Sequence, residues 1–127
     1  MDYRTATEAD FPQIVHFINE LDYFFPIDPY RLGGTWLIAM DNDKVHGTVW
    51  TMVGKDAPHA YCDYWAALSP MVALKLLGYL SIYCEAQHVK YIHGMVWDKN
   101  LPAQRLLTNV GCVMAGPYTR VLKEIGS

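Results

Sequence analysis

Asp63 is the carboxylate best placed in the sequence to do chemistry. It lies within an apolar run, between Cys62 and Tyr64. A carboxylate beside a binding cleft can act as a general base, accepting a proton from a reacting group. The alternative is an ordinary strand carboxylate that faces solvent. The residues alone leave both interpretations open.

The second feature is a helix start at residues 69–70, where Ser69 is a typical N-cap and the following proline suits the first helical position. The first N–H groups of a helix have no intrahelical partner and attract anions such as phosphate. Here they belong to Met71, Val72 and Ala73, and Lys75 lies one turn further on. Any helix start has a modest anion affinity, about 0.3–1 kcal/mol per nearby charge, so a plain helix start is the alternative.

Other kinds of catalytic site have little support in the sequence. The histidines lack the close pairing of a zinc site, and no Gly-x-Ser-x-Gly segment indicates a serine nucleophile. Cys62 and Cys84 have no identifiable local partner that would activate a thiol. The five histidines are His16, His46, His59, His88 and His93.

Hydrophobic periodicity predicts the elements that position these residues. A strand at 2–6 precedes a helix with one apolar face, and a loop at 22–34 has room for one helical turn. Three strand-like runs joined by turns at 41–43 and 54–59 then form an antiparallel meander that ends near Leu68. A helix over 70–87, a strand over 90–97, a helix capped by Asn100 and closed by Gly111, and two strands around residues 116–117 follow. The crossover through the long helix makes its flanking strands parallel, so we expect a mixed sheet.

The helix over 70–87 is unusually apolar. Its polar positions, Lys75, Gly78, Ser81 and Glu85, form one narrow stripe, on which we expect Glu85 to be solvated. A helix of this kind is covered on more than one side, by a sheet and by another helix or a second subunit. We therefore expect that homo-oligomers would form through this helix or through the loop at 22–34.

Length and composition indicate a single domain over residues 1–127. The chain has 52% hydrophobic residues and a net charge of −3, without the basic cluster of a nucleic-acid-binding protein. Three cysteines without a CxxC pattern predict reduced thiols. The N-terminal residues lack the features of a signal peptide, and no apolar run is long enough to span a membrane, so we expect a cytoplasmic protein.

Three segments resemble the GNAT (N-acetyltransferase-like) superfamily. They are the opening residues 4–14, Gly47 in the second meander strand, and the region from Asn100-Leu101-Pro102-Ala103 through Leu106-Leu107 to Gly111-Cys112. Element order and spacing agree over almost the whole chain. The resemblance implies an α+β (mixed α/β) fold with a mostly antiparallel central sheet flanked by helices.

The resemblance also implies acetyl-CoA as cofactor and a small-molecule or protein amine as acceptor. Asp63, directly or through water, would deprotonate the amine, and solvent, Tyr64 or Tyr118 would protonate the departing thiolate. The N–H of Ala67 or Leu68 would hold the carbonyl oxygen of the thioester. The cofactor-binding set would be Ala66, Ala67, Leu68, Ser69, Met71, Val72, Ala73, Lys75 and Asn100. For the alanines the alternative to cofactor binding is simple core packing, and for Asn100 it is simple helix capping. A separate group of aromatic loop residues fits an acceptor pocket, a loop over the core or an oligomer interface; its members are Tyr23, Phe24, Phe25 and Tyr30.

Two departures from the family pattern weaken the cofactor assignment. The family's Gln/Arg-x-x-Gly-x-Gly/Ala loop is degenerate here, since only Gly78 falls on a glycine position and Ala73 and Leu76 replace other members. Leu107 stands where family enzymes often have a general-acid tyrosine. Residues 96–100 and 118–120 also resemble small GNAT-like proteins of short-tailed bacteriophages. Two hypotheses follow: an acetyl-CoA-dependent N-acyltransferase, or an inactive GNAT-like binding or structural module.

Overall fold

The computed structural model describes residues 1–21, 27–55, 58–96, 101–109, 113–115 and 120–124. In these residues seven strands and four α-helices follow the predicted order. The elements are β1 (Asp2–Thr5), α1 (Phe11–Asn19), α2 (Pro29–Leu32), β2 (Thr35–Asp41), β3 (Lys44–Val53), β4 (His59–Ala67), α3 (Pro70–Ala86), β5 (Tyr91–Met95), α4 (Leu101–Asn109), β6 (Val113–Ala115) and β7 (Arg120–Glu124), with a 3-10 turn at Glu8–Asp10 before α1.

The described strands form one mixed sheet in the order β1-β2-β3-β4-β5-β7-β6. Strands β1 to β4 are antiparallel neighbours, β4 and β5 run parallel, and β7 lies antiparallel between β5 and β6. The turn between β2 and β3 places Asn42 and Asp43 at φ 50° and 62°. Two residues with positive φ twist a hairpin in the same sense as its strands. The predicted meander and the parallel crossover are confirmed.

Each face of the sheet carries its own core. Alternate residues of β2 illustrate the division: Leu37 packs on the side of α3 and α4, whereas Trp36 and Ile38 pack on the side of α1. Helix α1 contributes Ile14 and Ile18, both fully buried. The two layers hold the strands from both sides and leave the carboxyl end of β4 to lead directly into α3.

The start of the chain is fixed by an ion pair between Arg4 and Asp10. The guanidinium donates hydrogen bonds of 2.7 and 2.9 Å to the two carboxylate oxygens of Asp10, and the Thr7 N–H donates a third of 2.8 Å. Hydrogen bonding to the Arg4 guanidinium lowers the pKa of Asp10 to about 2. Burial opposes this decrease, and the hydrogen bonds from Thr7 add to it. This cluster joins β1 to the helix start that the sequence predicted at Thr7 or Asp10.

The segment before β2 is tied to the sheet by Trp50. The Trp50 indole N–H donates a 2.8 Å hydrogen bond to the carbonyl of Gly33. Gly34 has φ 67°, and a Cβ there would lie only 2.6 Å from Trp50 Nε1, so this close approach requires glycine. The predicted single helical turn is present as α2, while residues 22–26 of the predicted loop, with Tyr23, Phe24 and Phe25, lie outside the described residues.

Helix α3 packs against the sheet through one face, formed by Val72, Leu76, Leu80 and Cys84 among others. The opposite face exposes Met71, Leu74 and Ile82. The expectation that this helix is covered on a second side is therefore not met within the described part of one chain. None of the helices in the described residues combines the length and the apolar character needed to cross a membrane.

Candidate active site

A bulge in β4 at Tyr64 organises the site. The register between β3 and β4 shifts between the pairs Trp50–Asp63 and Thr48–Ala66, and Tyr64 has φ 50°. Positive φ is uncommon for a bulky residue and is maintained only by its surroundings. The strained residue lies directly beside Asp63, the carboxylate that the sequence singled out.

Two side chains hold the Tyr64 backbone in this conformation. The hydroxyl of Thr48, fully buried, donates a 2.8 Å hydrogen bond to the Tyr64 carbonyl. The carboxylate of Asp63 accepts a 2.7 Å hydrogen bond from the Tyr64 N–H. Both polar groups of the bulged residue are thereby satisfied, so the bulge is a built feature of the strand.

The bulge sets the direction of the N–H groups at the end of β4. The Leu68 N–H donates a 2.8 Å hydrogen bond to the His46 carbonyl on β3. Successive N–H groups of an extended strand point to alternate sides. The N–H of Ala67 therefore points away from β3, toward β5, whereas the N–H of Ala66, paired with Thr48, points toward β3.

Strands β4 and β5 diverge beyond Cys62. The parallel pairing of the described residues ends at the pair Cys62–Gly94, while β4 continues to Ala67. Gly94 is essential to this geometry because a Cβ there would collide with the Cys62 carbonyl oxygen. We call the region between the two strands beyond this pair the β4–β5 divergence; the Ala67 N–H points into it.

Asp63 is partly buried on the α1 side of the sheet. Burial raises its pKa, and the hydrogen bonds from the Tyr64 N–H and the Tyr61 hydroxyl oppose that rise. The Tyr61 hydroxyl donates to Asp63 Oδ2 over 3.4 Å. A carboxylate with a raised pKa is a stronger base than a solvated one, as proton abstraction requires.

The Tyr64 side chain packs against Trp36, with 5.5 Å between ring centroids. Burial first, then the charge of Asp63, raises the pKa of Tyr64. Its phenol is therefore in the neutral, proton-donating form near neutral pH. Tyr118 and Asn100, the other predicted donor and the predicted cap, lie outside the described residues.

The helix start at Ser69 is formed as predicted, but its free N–H groups are fewer. The Ser69 hydroxyl accepts a 3.2 Å hydrogen bond from the Val72 N–H, and the Ser69 carbonyl accepts one of 3.1 Å from the Ala73 N–H. Val72 and Ala73 are also buried by side chain. The prediction of three free donors is wrong for these two, because the N-cap serine and the first helical turn engage them.

Lys75 of the predicted cofactor set and two positions of the family pattern, Gly78 and Leu107, lie in different surroundings. Lys75 is exposed, on the outer side of α3. Gly78 lies in the middle of α3, away from the helix start, so it takes no part in a phosphate-binding loop. Leu107, at the family's general-acid position, is buried in the core. The prediction of a degenerate phosphate loop agrees with these positions.

Gly47 lets the start of α3 lie close to the sheet. A Cβ at Gly47 would lie 2.9 Å from Val72 Cγ1 and 3.2 Å from the Ala66 carbonyl oxygen. Gly47 also pairs with Ala67 across the strands. Small residues at these positions allow the close approach of α3 to strands β3 and β4.

Rings flank Asp63 along the α1 side of β3, β4 and β5. Consecutive edge-to-face or stacked contacts, with centroid distances of 5.1 to 6.1 Å, connect five side chains. We call this the ring row; its members are Trp50, Tyr61, His93, His59 and Tyr91. It offers an apolar, polarisable surface beside the carboxylate.

Sequence reasoning missed Thr48, Tyr61 and Gly94. A glycine inside a strand-like run marks a close backbone approach, so Gly94 carried a readable signal. Thr48 follows Gly47 in β3, but its partner lies sixteen residues away. Nothing local in the sequence connects the two.

Similar architecture occurs in solved acetyltransferases. The chain matches an acetyltransferase of the GNAT family from Staphylococcus aureus with a TM-score of 0.79 and 16% identity, over 98% of this chain and 99% of that one. It matches the ribosomal-protein-S18-alanine N-acetyltransferase of Escherichia coli with a TM-score of 0.81 and 17% identity, over 99% and 94%. A third match is N-acetylglutamate synthase of Neisseria gonorrhoeae, complexed with coenzyme A and L-arginine, with a TM-score of 0.77 and 12% identity, over 99% of this chain and 33% of that one.

No protein-family model and no curated protein sequence matches the chain. The structural matches cover nearly all of it at low identity, and so they establish the fold. The chain has the GNAT fold, as its element order and motifs predicted.

Proposed function

We propose that this protein transfers an acyl group from an acyl-CoA thioester, acetyl-CoA in the first instance, to an amine. The observation that supports this most is the Ala67 N–H, which points into the β4–β5 divergence four residues along β4 from Asp63. A hydrogen-bond donor for a carbonyl oxygen and a carboxylate base on one strand are two of the groups that amine acylation requires. The shared fold with acetyltransferases adds support by analogy.

The residues present fit the thioester arm of coenzyme A better than its pyrophosphate. Ala66 and Ala67 are small, and Ala67 directs a backbone donor toward β5. Ser69, Met71 and Lys75 would face the phosphates, with fewer free N–H groups than a glycine-rich loop provides. When bound, the cofactor supplies an activated acyl carbonyl.

In the proposed reaction the Ala67 N–H would donate a hydrogen bond to the acyl carbonyl oxygen, where negative charge would develop. The Leu68 N–H cannot share this role because it already donates to His46. The role that the sequence divided between two residues therefore belongs to Ala67.

Asp63 would accept a proton from the substrate ammonium, directly or through a water molecule. Its raised pKa makes this transfer less costly, and the Tyr61 hydroxyl keeps the carboxylate oriented. Tyr64, neutral and adjacent, would donate the proton that the departing thiolate needs; Tyr118 is the second candidate for that step.

The acceptor would lie over the ring row, whose faces favour a cationic or apolar group next to the amine. One structural neighbour acts on a ribosomal-protein alanine by its name, and another is an N-acetylglutamate synthase. The acceptor class is accordingly a small-molecule or protein amine. A cytoplasmic location and a phage origin stay predictions from the sequence.

Two observations favour the alternative of a binding module without catalysis. Two of the three donors expected at the α3 start are engaged within the chain, and the general-acid position holds a buried leucine. Both would weaken acyl-CoA use. A direct binding experiment separates the two functions.

The experiment is a thermal shift with acetyl-CoA. A ligand at one hundred times its dissociation constant stabilises the fold by about 2.7 kcal/mol, an easily measured increase in Tm. Ser69→Glu should abolish the shift because a carboxylate would lie at the α3 start. Ser81→Glu, the same change in the middle of α3, should retain it. The absence of a shift with millimolar acetyl-CoA or free CoA in the unmodified protein would overturn the enzyme proposal.

A further inference from the structure

The outer face of α3 carries three large apolar side chains in water. Met71 is 66%, Leu74 44% and Ile82 67% exposed. With 3.6 residues per turn they fall on one stripe, opposite the buried face of the helix. Gly78 lies at the centre of the stripe, and among the described residues no atom outside the helix backbone lies within 4 Å of the position a Cβ would take. The stripe is thus an apolar surface with an open central gap.

Two opposite charges border the apolar stripe. Lys75 and Glu85 are both exposed, Lys75 before the glycine and Glu85 after it. Ten residues of helix separate them by about 15 Å, so they cannot pair within one chain. Ser81 lies on the same side, and its hydroxyl donates a hydrogen bond to the Leu77 carbonyl. This hydroxyl therefore needs no acceptor on a second molecule.

We propose that a second copy of this chain binds the stripe, with the two α3 helices antiparallel and crossing at Gly78. A two-fold axis at Gly78 places Leu74 opposite Ile82 of the second copy, and Ile82 opposite its Leu74. The missing side chain at the crossing lets the helix axes approach closely. The surface is self-complementary, as a two-fold interface requires.

Charge selects this orientation. In this arrangement Glu85 of the second copy lies at the same height along the helix as Met71 of the first. That height is four residues, about 6 Å, from Lys75 of the first copy. Helical side chains lean toward the N-terminus of their own helix, so in an antiparallel pair these two lean toward each other. Two such ion pairs form per dimer. A parallel pair would instead align Lys75 with Lys75 and Glu85 with Glu85, which is repulsive.

A single helix pair buries less than the roughly 1,600 Å² of a standard interface. The dimer is therefore weak and concentration-dependent. It involves neither Asp63 nor the Ala67 N–H, but it does involve Met71 and Lys75, which the proposed acyl transfer places near the cofactor phosphates. Of the two oligomer surfaces that the sequence suggested, the loop at 22–34 lies partly outside the described residues, whereas α3 is described throughout.

Sedimentation velocity over a concentration series, from about 1 to 500 μM, covers the affinities of weak interfaces. We expect the unmodified protein to shift from monomer to dimer across this range. Lys75→Glu and Glu85→Lys should each raise the dimer dissociation constant at least tenfold, since each places like charges together. Lys90→Glu, the same charge change at an exposed lysine outside α3, should leave it unchanged.

The deciding sample is an equimolar mixture of Lys75→Glu and Glu85→Lys. A mixed antiparallel dimer contains two opposite-charge pairs, so the mixture should dimerise as the unmodified protein does. A monomer at every concentration, or a mixture that stays as weak as its components, would overturn the proposal. A stable complex of another stoichiometry would also do so. The Glu85→Lys variant should keep the acetyl-CoA thermal shift, so failure of the dimer and failure of the acyl-CoA proposal give different results.

Discussion

The buried hydroxyl of Thr48 donates a 2.8 Å hydrogen bond to the carbonyl of Tyr64, the residue that bulges from β4 at φ 50°. This bond and the carboxylate of Asp63 together satisfy the bulged backbone. The bulge in turn decides which N–H groups of β4 face β5. One threonine on the neighbouring strand therefore controls the geometry of the proposed acyl-binding region.

Replacement of Thr48 by valine should loosen this region. The change keeps the side-chain shape but leaves the buried Tyr64 carbonyl without its donor, which costs about 1–3 kcal/mol. Urea unfolding measures that loss. Thr51→Val is the matched control, because Thr51 is equally buried on the same strand and its hydroxyl accepts weak hydrogen bonds from thiols, over 3.4 Å from Cys62 and also from Cys84. Equal losses in the two variants would show that the bond to Tyr64 has no special role.

Asp63→Asn should lower amine-dependent release of CoA by about 10²- to 10⁴-fold, the usual contribution of a general base. The asparagine oxygen still accepts from the Tyr64 N–H, so the bulge should persist. In the unmodified protein the rate should fall on the acid side as Asp63 is protonated, at a pH above that of a solvated aspartate because burial raises its pKa.

Tyr61→Phe tests whether Asp63 is the group whose protonation lowers the rate at acid pH. The Tyr61 hydroxyl favours the ionised carboxylate, so its loss should move the acid limb of the rate profile to higher pH. A thiol-detecting assay across pH measures both variants. Full activity of Asp63→Asn, or an acid limb indifferent to Tyr61, would remove Asp63 from the mechanism.

Two glycines should respond in opposite directions to alanine. Gly94→Ala places a Cβ against the Cys62 carbonyl oxygen and should destabilise the fold by about 1–3 kcal/mol, as overpacking does. Gly78→Ala meets no neighbour in the monomer and should stabilise α3 by about 1 kcal/mol through helix propensity. Thermal unfolding at low micromolar concentration, where the chain is monomeric, compares them. Tolerance of alanine at position 94 would contradict the close strand approach.

Acid should weaken the fold through Asp10. Its folded pKa of about 2 lies below the ordinary aspartate value of 3.8, so the ion pair with Arg4 contributes its full stability above the unfolded pKa. That contribution, up to about 2 kcal/mol, is lost as the pH falls from about 4 to 2. Unfolding of the unmodified protein and of Asp10→Asn should differ at pH 6 and converge near pH 2. A constant difference would mean that the charge of Asp10 is not what stabilises this cluster.

The sequence predicted the elements because their signals are local. Ser69 and the following proline mark the α3 start, Asn42 and Asp43 form the predicted turn, and hydrophobic periodicity separates strands from helices. The order of the elements then favours a mixed sheet and the GNAT fold. Each of these signals lies within a few residues of the structure it specifies.

The site was less predictable because its geometry depends on distant pairs. No glycine marks the bulge at Tyr64, and its partner Thr48 belongs to another strand. The sequence predicted free N–H groups at Val72 and Ala73. In the structure the Ser69 hydroxyl accepts a hydrogen bond from the first and the Ser69 carbonyl accepts one from the second. The sequence could name Asp63 as a candidate base, but its burial and its contact with Tyr61 required the folded sheet.

The proposed acyl transfer requires the Ala67 N–H to donate a hydrogen bond to the acyl carbonyl oxygen in the β4–β5 divergence. Titration of acetyl-CoA into protein labelled with ¹⁵N at alanine tests it directly by amide chemical shifts. We predict that the Ala67 amide shifts strongly with acetyl-CoA and less with free CoA, which lacks the carbonyl, while Ala39, buried in β2, stays in place. An Ala67 amide that does not move while the ligand binds, or one that moves equally with both ligands, would contradict the account.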